Sequence, residues 1–226
     1  MQLFYIPSED NNIIGGDEFK HCIKVLRKKK NDKILFTDGK GNLYSSYIDK
    51  INKDNCHLNK IKKIKSVEKT IELEVAISLI KSQSRLEWMV EKLSEIGVSS
   101  ISFITTKHSE RKKLKYQRLI KKTISALKQC KSLFLTELNE TVSLDNLIRI
   151  HRDTDNKFFA DIDYNKKFNT PLEGKKCLLI IGPEGDFSEK EKKLMDDNGF
   201  KKISLGNNIL RTETAAIVGG YLLKNL

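Results

Sequence analysis

The chain contains no CxxC pair, no GxGxxG, no GxxxxGK[ST] and no apolar run approaching the length of a membrane span. Each absence removes a class of function. Cys22, Cys56, Cys130 and Cys177 lie far apart, and His21, His57, His108 and His151 are scattered. That spacing offers no zinc site, and a chain of 226 residues has no need of a disulfide framework, so four reduced thiols, a cytoplasmic protein and no metal are expected. The opening "MQLFYIPSEDNN" lacks a basic region followed by an apolar core, so no signal peptide is expected, and no membrane partner. Without a secretion signal, "NET" at 139–141 reads as a chance match to a glycosylation acceptor. The missing glycine signatures remove the common nucleotide-binding loops. There is no internal repeat and no low-complexity segment.

What is present is positive charge and a core. The formal net charge is +12, with 38% apolar residues. A basic balance of this size points to a polyanionic partner, nucleic acid before membrane, or else to a general lysine bias. Residues 1–70 and the remaining 156 each carry a net +6, so charge density is about twice as high in the first part. That part reads as short strands, "LFYI", "KILFT", "NLYSSYI" and "CHLNKI", with "DGKG" as a turn and one helical piece, "DEFKHCIKVLRKKK". Such spacing predicts a small β-barrel. "KIKKIKSVEKT", 60–70, marks the expected boundary. Beyond it strands and helices alternate: "IELEVAISLI", then a helix with Leu86, Met89, Val90, Leu93 and Ile96 on one face, "ISFI", a basic helix over 113–130, "KFFA", "CLLIIG", a helix after Ser188, "KKISL" and a closing helix. The pattern predicts an α/β domain with a mostly parallel sheet, which binds ligands beyond the carboxyl ends of its strands. Ser84 with Glu87 and Ser188 with Glu191 fit capping boxes, Gly97 fits a helix C-terminus, and Thr212 fits the cap of the last helix.

Two strand-to-helix junctions stand out. "GPEGDF", 182–187, follows an apolar strand. Its glycines allow bare N–H and C=O groups to approach a ligand, or make a tight turn. Glu184 and Asp186 repel phosphate, so a neutral or cationic ligand suits it better. "SLGNNILRTETAAI", 204–217, is the second junction. Ile209 and Leu210 line an apolar pocket or pack under the loop. Arg211 beside a helix N-terminus is electrostatically awkward. It makes sense if an anion or electron-rich oxygen arrives there, or if Glu213 neutralises it. The run 107–122 holds eight Lys/Arg against one Glu, which is a solvated helix face or, with Tyr116 in it, an RNA contact. "VLRKKK", 25–30, is its counterpart in the first part. Gln129 bonds a base edge or caps its own helix.

"GPEG" after a strand, followed about twenty residues on by "LGNNILRTETA", resembles the SPOUT methyltransferases, and among them the members that methylate N3 of a uridine in 16S rRNA of the small ribosomal subunit. "FYIP", "VLRKKK", "EKLSEIGV", "TTKHSERKK" and "ALKQC" extend the likeness over nearly the whole chain. The resemblance implies an α/β fold with a PUA-like RNA-binding β-barrel, 1–68, and a SPOUT domain, 69–226, with a trefoil knot near 180–226. It implies a homodimer that uses S-adenosyl-L-methionine as cofactor and 16S rRNA as substrate. The cofactor residues it implies are Ile181, Gly182, Pro183, Glu184 and Gly185 on one loop, and Leu205, Gly206, Asn208, Ile209 and Leu210 on another. Thr214 and Ala215 of the closing helix join them. Arg211 is the implied stabiliser of the reacting uridine, and Glu184 balances the sulfonium or takes a proton. Arg27, Lys28, Lys29, Lys107, Arg111, Lys112 and Gln129 are implied RNA contacts. The chain departs from the family at Gln2 and Ser132, where an Arg is usual, and at Asp186, where Gly is commoner. The alternatives are a SPOUT enzyme acting on another RNA and a catalytically weak, RNA-binding assembly factor.

Overall fold

The structure is a computed structural model that describes residues 2–7, 12–109, 114–166 and 171–226. The chain divides into two compact units, 1–69 with 124–135, and 70–123 with 136–226.

In the first unit β1 (Leu3–Tyr5), β2 (Ile13–Gly15), β3 (Lys33–Thr37), β4 (Asn42–Ile51) and β5 (Asn55–Ser66) form one curled sheet in the order β1-β3-β4-β5-β2. β1 pairs with β3 in parallel and the other pairs are antiparallel. Phe4, Ile14, Ile34, Phe36, Ile48 and Leu58 alternate inward from these strands and pack with Phe19 and Cys22. The helical piece is shorter than its sequence suggests. A single turn, α1 (Gly16–Phe19), runs on as a π-helix, Lys20–Val25. It stops before the lysines because Leu26 N–H closes a wide turn on His21 C=O at 3.0 Å and Arg27 enters the left-handed region at φ +54°. "KIKKIKS", read as a boundary, continues β5 to Ser66. Its side chains are exposed on both faces, which hides the two-residue period.

The "DGKG" turn depends on Gly41. Its φ is +95°, and a Cβ there would stand 2.3 Å from Val67 C=O and 2.8 Å from the Phe134 ring. Phe134 belongs to the returning stretch 124–135. There Leu133 C=O accepts from Thr37 Oγ1 at 3.1 Å and from Gly41 N–H at 2.9 Å, and Leu135 N–H donates to Gly39 C=O at 2.9 Å. These are contacts between positions about a hundred residues apart, which local pattern does not reveal. At Ser132 the hydroxyl donates to Phe134 C=O at 3.0 Å and accepts from Phe134 N–H at 3.1 Å, so it shapes this stretch.

The second unit is built on six strands: β6 (Glu72–Ser78), β7 (Ser100–Thr105), β8 (Glu137–Ser143), β9 (Asn156–Ala160), β10 (Lys176–Ile181) and β11 (Lys201–Ile203). They lie in the order β11-β9-β10-β6-β7-β8, and every neighbouring pair is parallel. The helices are α2 (Gln83–Ile96), the part of α3 (Tyr116–Cys130) before residue 124, α4 (Leu144–Ile150), α5 (Glu189–Asp197) and α6 (Thr212–Lys224). Residues alternate across the sheet. Val75, Ile77, Leu179 and Ile181 join α2 residues Leu86, Met89, Val90 and Leu93 in one core. Ala76, Leu178 and Ile180 join Leu144, Leu147 and Met195 of α4 and α5 in the other. Burial on both faces explains the unbroken apolar run of β10.

The caps differ in part from expectation. α2 is capped by Ser82, not Ser84, with Ser82 Oγ accepting from Arg85 N–H at 3.4 Å. Glu87 is unavailable for a capping box because Gln83 and Arg118 hold it, at 3.1 and 2.8 Å. α5 has its capping box, Ser188 with Glu191. Gly97 ends α2 at φ +86°. α6 begins one residue earlier than a Thr212 cap requires: Arg211 is the N-cap residue, and Thr212 is helical. β8 and α4 escaped the sequence reading because "ELNETVS" has little alternation and α4 spans only seven residues.

Candidate functional site

Parallel strands end together, so the turns after β6, β9, β10 and β11 share one rim of the second unit. They enclose a cavity of about 670 Å³. From "GPEG", Ile181, Gly182, Pro183 and Glu184 line it, and from the second junction Leu205, Gly206, Asn208, Ile209, Leu210 and Arg211. Ala215 of α6 also lines it; Gly185 and Thr214 lie outside the lining. Gly206 has φ +118° and open space around a Cβ, so it serves the backbone bend, not a tight contact. At Gly182 the reason is space: a Cβ would stand 3.0 Å from the Phe187 ring. Leu210 is half-buried against the core, whereas Ile209 is 84% exposed. An apolar side chain this open at a cavity mouth is suited to covering a ligand.

The two loops are joined directly. Thr212 Oγ1 donates to Gly182 C=O at 3.1 Å, so the hydroxyl expected to cap α6 links the junctions instead. Glu213 does not neutralise Arg211. It is 4% exposed and pairs with Arg85, whose Nη1 lies 3.2 Å from Glu213 Oε1 and whose Nη2 lies 2.9 Å from Glu184 Oε1. Arg85 lines the cavity with Ser82. Neither was expected from sequence, since Arg85 sits within an ordinary amphipathic helix. The one available signal was a cation in the first turn of a helix, where the dipole disfavours it. Arg211 itself is exposed, lines the cavity, and forms no ion pair among the described residues.

Asp186 answers its own departure. Its φ is +58°, the left-handed conformation in which glycine is at ease. The strained backbone is held by Lys192, whose Nζ lies 2.9 Å from Asp186 Oδ2, and by His108 Nδ1, which donates to Asp186 C=O at 3.1 Å. Lys192 is 6% exposed and also meets Asp161 at 3.0 Å and Asp163 at 3.3 Å. Burial alone would lower its pKa; the hydrogen bonds to Asp186, Asp161 and Asp163 raise it instead. Burial likewise pushes Asp161 up, and Lys192, the Asp163 N–H and Lys202 pull it below the ordinary carboxylate range. The carboxylates of Asp161, Asp163 and Asp186 lie within 4.8 Å of one another, but the ammonium they share is already there. They form an ion-pair network in the cavity wall, to which Asp161 and Asp186 contribute.

The expected RNA contacts fall on both units. In the first, Arg27, Lys29 and Gln129 are exposed, while Lys28 is half-buried with its ammonium on Lys33 C=O at 3.3 Å. In the second, Lys107 is exposed, its N–H held by Glu191 at 2.8 Å. Arg111 and Lys112 lie outside the described residues.

A cavity with apolar walls, bare loop backbone and carboxylates at its rim fits a cationic ligand that has both apolar and hydrogen-bonding parts. Comparison with known proteins agrees in extent. The family described as "RNA methyltransferase domain" matches residues 67–223, and the one described as "RNA methyltransferase PUA domain" matches 14–61. The solved structure of a "probable rRNA-methyltransferase" from Porphyromonas gingivalis is 31% identical, with a TM-score of 0.87 over 100% of this chain and 98% of that one. A methyltransferase from Legionella pneumophila, solved "in complex with the bound cofactor SAM", is 26% identical, with a TM-score of 0.86 over 100% and 97%. The ribosomal RNA small subunit methyltransferase E of Aquifex aeolicus is 27% identical over the whole of both chains. Its Rickettsia conorii counterpart is 26% identical over 90% of this chain and 85% of its own.

Proposed function

The chain belongs to the RNA methyltransferase family, and we propose that it transfers a methyl group from S-adenosyl-L-methionine to N3 of a uridine in 16S rRNA. The observation that carries this is the meeting of 181–184 and 205–211 on one cavity, since these stretches also carry the resemblance. The relative solved with SAM supports the cofactor, and the relatives named for small-subunit rRNA support the substrate.

When bound, S-adenosylmethionine supplies a methyl group activated on a positively charged sulfur. The protein supplies position and electrostatics. Backbone groups of 182–184 and 205–210 take the polar edges of the ligand, and Ile181, Leu205, Leu210 and Ala215 form its apolar bed. Arg211 stabilises O2 or O4 of the uridine as N3 gives up its proton. Glu184 balances the positive charge or accepts that proton. A duplex hides N3, so the target is unpaired or flipped out. Arg27, Lys28, Lys29, Lys107, Arg111, Lys112 and Gln129 hold the surrounding RNA.

Three further parts belong to the proposal. The first unit is a PUA-like module for RNA. The second carries a trefoil knot near 180–226: β11 lies at one edge of the sheet, yet α6 returns to pack on β6, β10 and α2. The enzyme is a cytoplasmic homodimer. Trp88 on α2 and Val218 and Tyr221, one turn apart on α6, leave apolar surface on two packed helices for a second copy, and no described helix is long and apolar enough to cross a membrane.

The test is mass spectrometry of 16S rRNA from a strain lacking the protein. N3-methyluridine should disappear and return with the wild-type gene. Its persistence would refute the substrate.

A further inference from the structure

We propose that Arg85 is a positioning residue for cofactor binding: its guanidinium ties the first loop of the cavity to the start of α6, where the second loop ends, so that affinity for S-adenosylmethionine depends on a side chain of α2. This rests on reading the cavity as the cofactor site.

Three observations carry it. First, one guanidinium reaches Glu184 of the first loop at 2.9 Å and Glu213, in the first turn of α6 directly after the second loop, at 3.2 Å, although these carboxylates are 29 positions apart in the chain. The planar fork of Arg can serve two acceptors at once in fixed directions, and an ammonium on a flexible stem does so poorly. Second, Glu213 is buried, and Arg85 is its ion-pair partner among the described residues. A buried carboxylate needs a counter-charge; the positive end of α6 supplies part, and Arg85 the rest. Third, Arg85 is the third residue of α2, where its charge opposes the helix dipole. Helix stability therefore does not account for it, whereas the bridge does.

The bridge matters because the middle of the second loop, between the core-packed Leu205 and Leu210, has little else to shape it. Gly206, Asn207, Asn208 and Ile209 are all exposed. The course of the loop is set at its end, where Thr212 holds Gly182 and Glu213 holds Arg85. A loop already tied in its binding conformation loses less entropy on binding. Cutting the tie makes the shape of the pocket costlier to assemble.

The experiment is calorimetric titration of S-adenosylmethionine into the full-length protein and its variants, with single-turnover methylation at saturating cofactor. Arg85→Gln should weaken binding on the order of tenfold, a larger effect than on the single-turnover rate at saturating cofactor. Arg85→Lys should fall between. Glu213→Gln should weaken binding similarly, and the Arg85→Gln/Glu213→Gln double variant no more than the worse single one. If Arg85→Gln fails to fold, the double variant, which leaves no uncompensated buried charge, carries the same expectation. Affinity within twofold of wild type in the folded variant would overturn the proposal. So would a lost saturated rate with unchanged affinity, which would make Arg85 part of the chemistry. Wild-type protein that binds no S-adenosylmethionine would instead overturn the cofactor assignment itself.

Discussion

Replacing Lys192 by Met tests the ion-pair network that supports the "GPEGD" turn. Methionine nearly matches the lysine stem in volume, so packing changes little and the charge is what is lost. Three carboxylates meet the ammonium at 2.9 to 3.3 Å. Asp163 is exposed enough to turn to water, but Asp161 is buried and Asp186 is fixed in a left-handed turn. Removing one partner of a buried pair costs about 3–5 kcal/mol. Lys202 remains 3.1 Å from Asp161 and recovers part of that, which leaves an expected loss of about 2–4 kcal/mol. In a chain of this size each kcal/mol moves Tm by about 2–4 °C, so Tm should fall by roughly 5–15 °C. The assay is thermal unfolding followed by circular dichroism, in EDTA and in millimolar Mg²⁺ or Ca²⁺. A second variant, Lys192→Met/Asp161→Asn, should recover part of the loss by removing the orphaned carboxylate. A Tm unchanged by Lys192→Met would refute the reasoning, and so would a wild-type Tm that rises with divalent cation, since the carboxylates would then be serving a metal.

Gly41→Ala should destabilise the first unit by about 2–4 kcal/mol, from the left-handed backbone and the overlap with Val67 C=O and Phe134; an unchanged urea midpoint would contradict it. Acid should unfold the second unit through Glu74 and Asp161. Burial raises Glu74, but hydrogen bonds from His151, Ser102 and Ser100 outweigh it and hold its pKa low, as Lys192 and Lys202 do for Asp161. A carboxyl depressed in the folded state contributes stability above its unfolded pKa of about 4 and loses it as pH falls through the folded value. The urea midpoint should therefore hold from pH 7 to about 5 and fall below about 4, less steeply in Asp161→Asn; a flat profile to about pH 2.5 would exclude both groups. Arg211→Ala should slow single-turnover methylation by on the order of 100-fold, the scale of losing one stabilising donor, with RNA binding intact. Full activity would remove Arg211 from the chemistry.

Lys192 also bears on how the site relates to its sequence. "GPEGDF" contains two acidic residues, and from sequence both oppose a phosphate and favour a cation. In the structure they have different tasks. Both line the cavity, but Glu184 is held by Arg85, whereas Asp186 is drawn to Lys192 and fixes the turn. Asp186 thus takes a glycine-like backbone and adds an ion pair to hold it.

Much of the fold is legible because it is local. The apolar stripe of α2, the capping box of α5, the glycine end of α2 and the doubly buried β10 all follow from residues within one or two turns of each other. Both junctions that form the cavity could be picked out in the same way, as strands that stop at glycine before a helix. Tertiary structure decided everything that depends on distant pairing: the return of 124–135 to the first unit, the bond from Thr212 to Gly182, and the choice of Arg85, not Arg211, as the partner of Glu213. Local periodicity records which face of an element is apolar, and it carries no information about which charge on one loop will meet which charge on another. The sequence by itself determined the elements and the two candidate loops; packing the parallel strands side by side brought those loops to one rim and set which side chains hold them there.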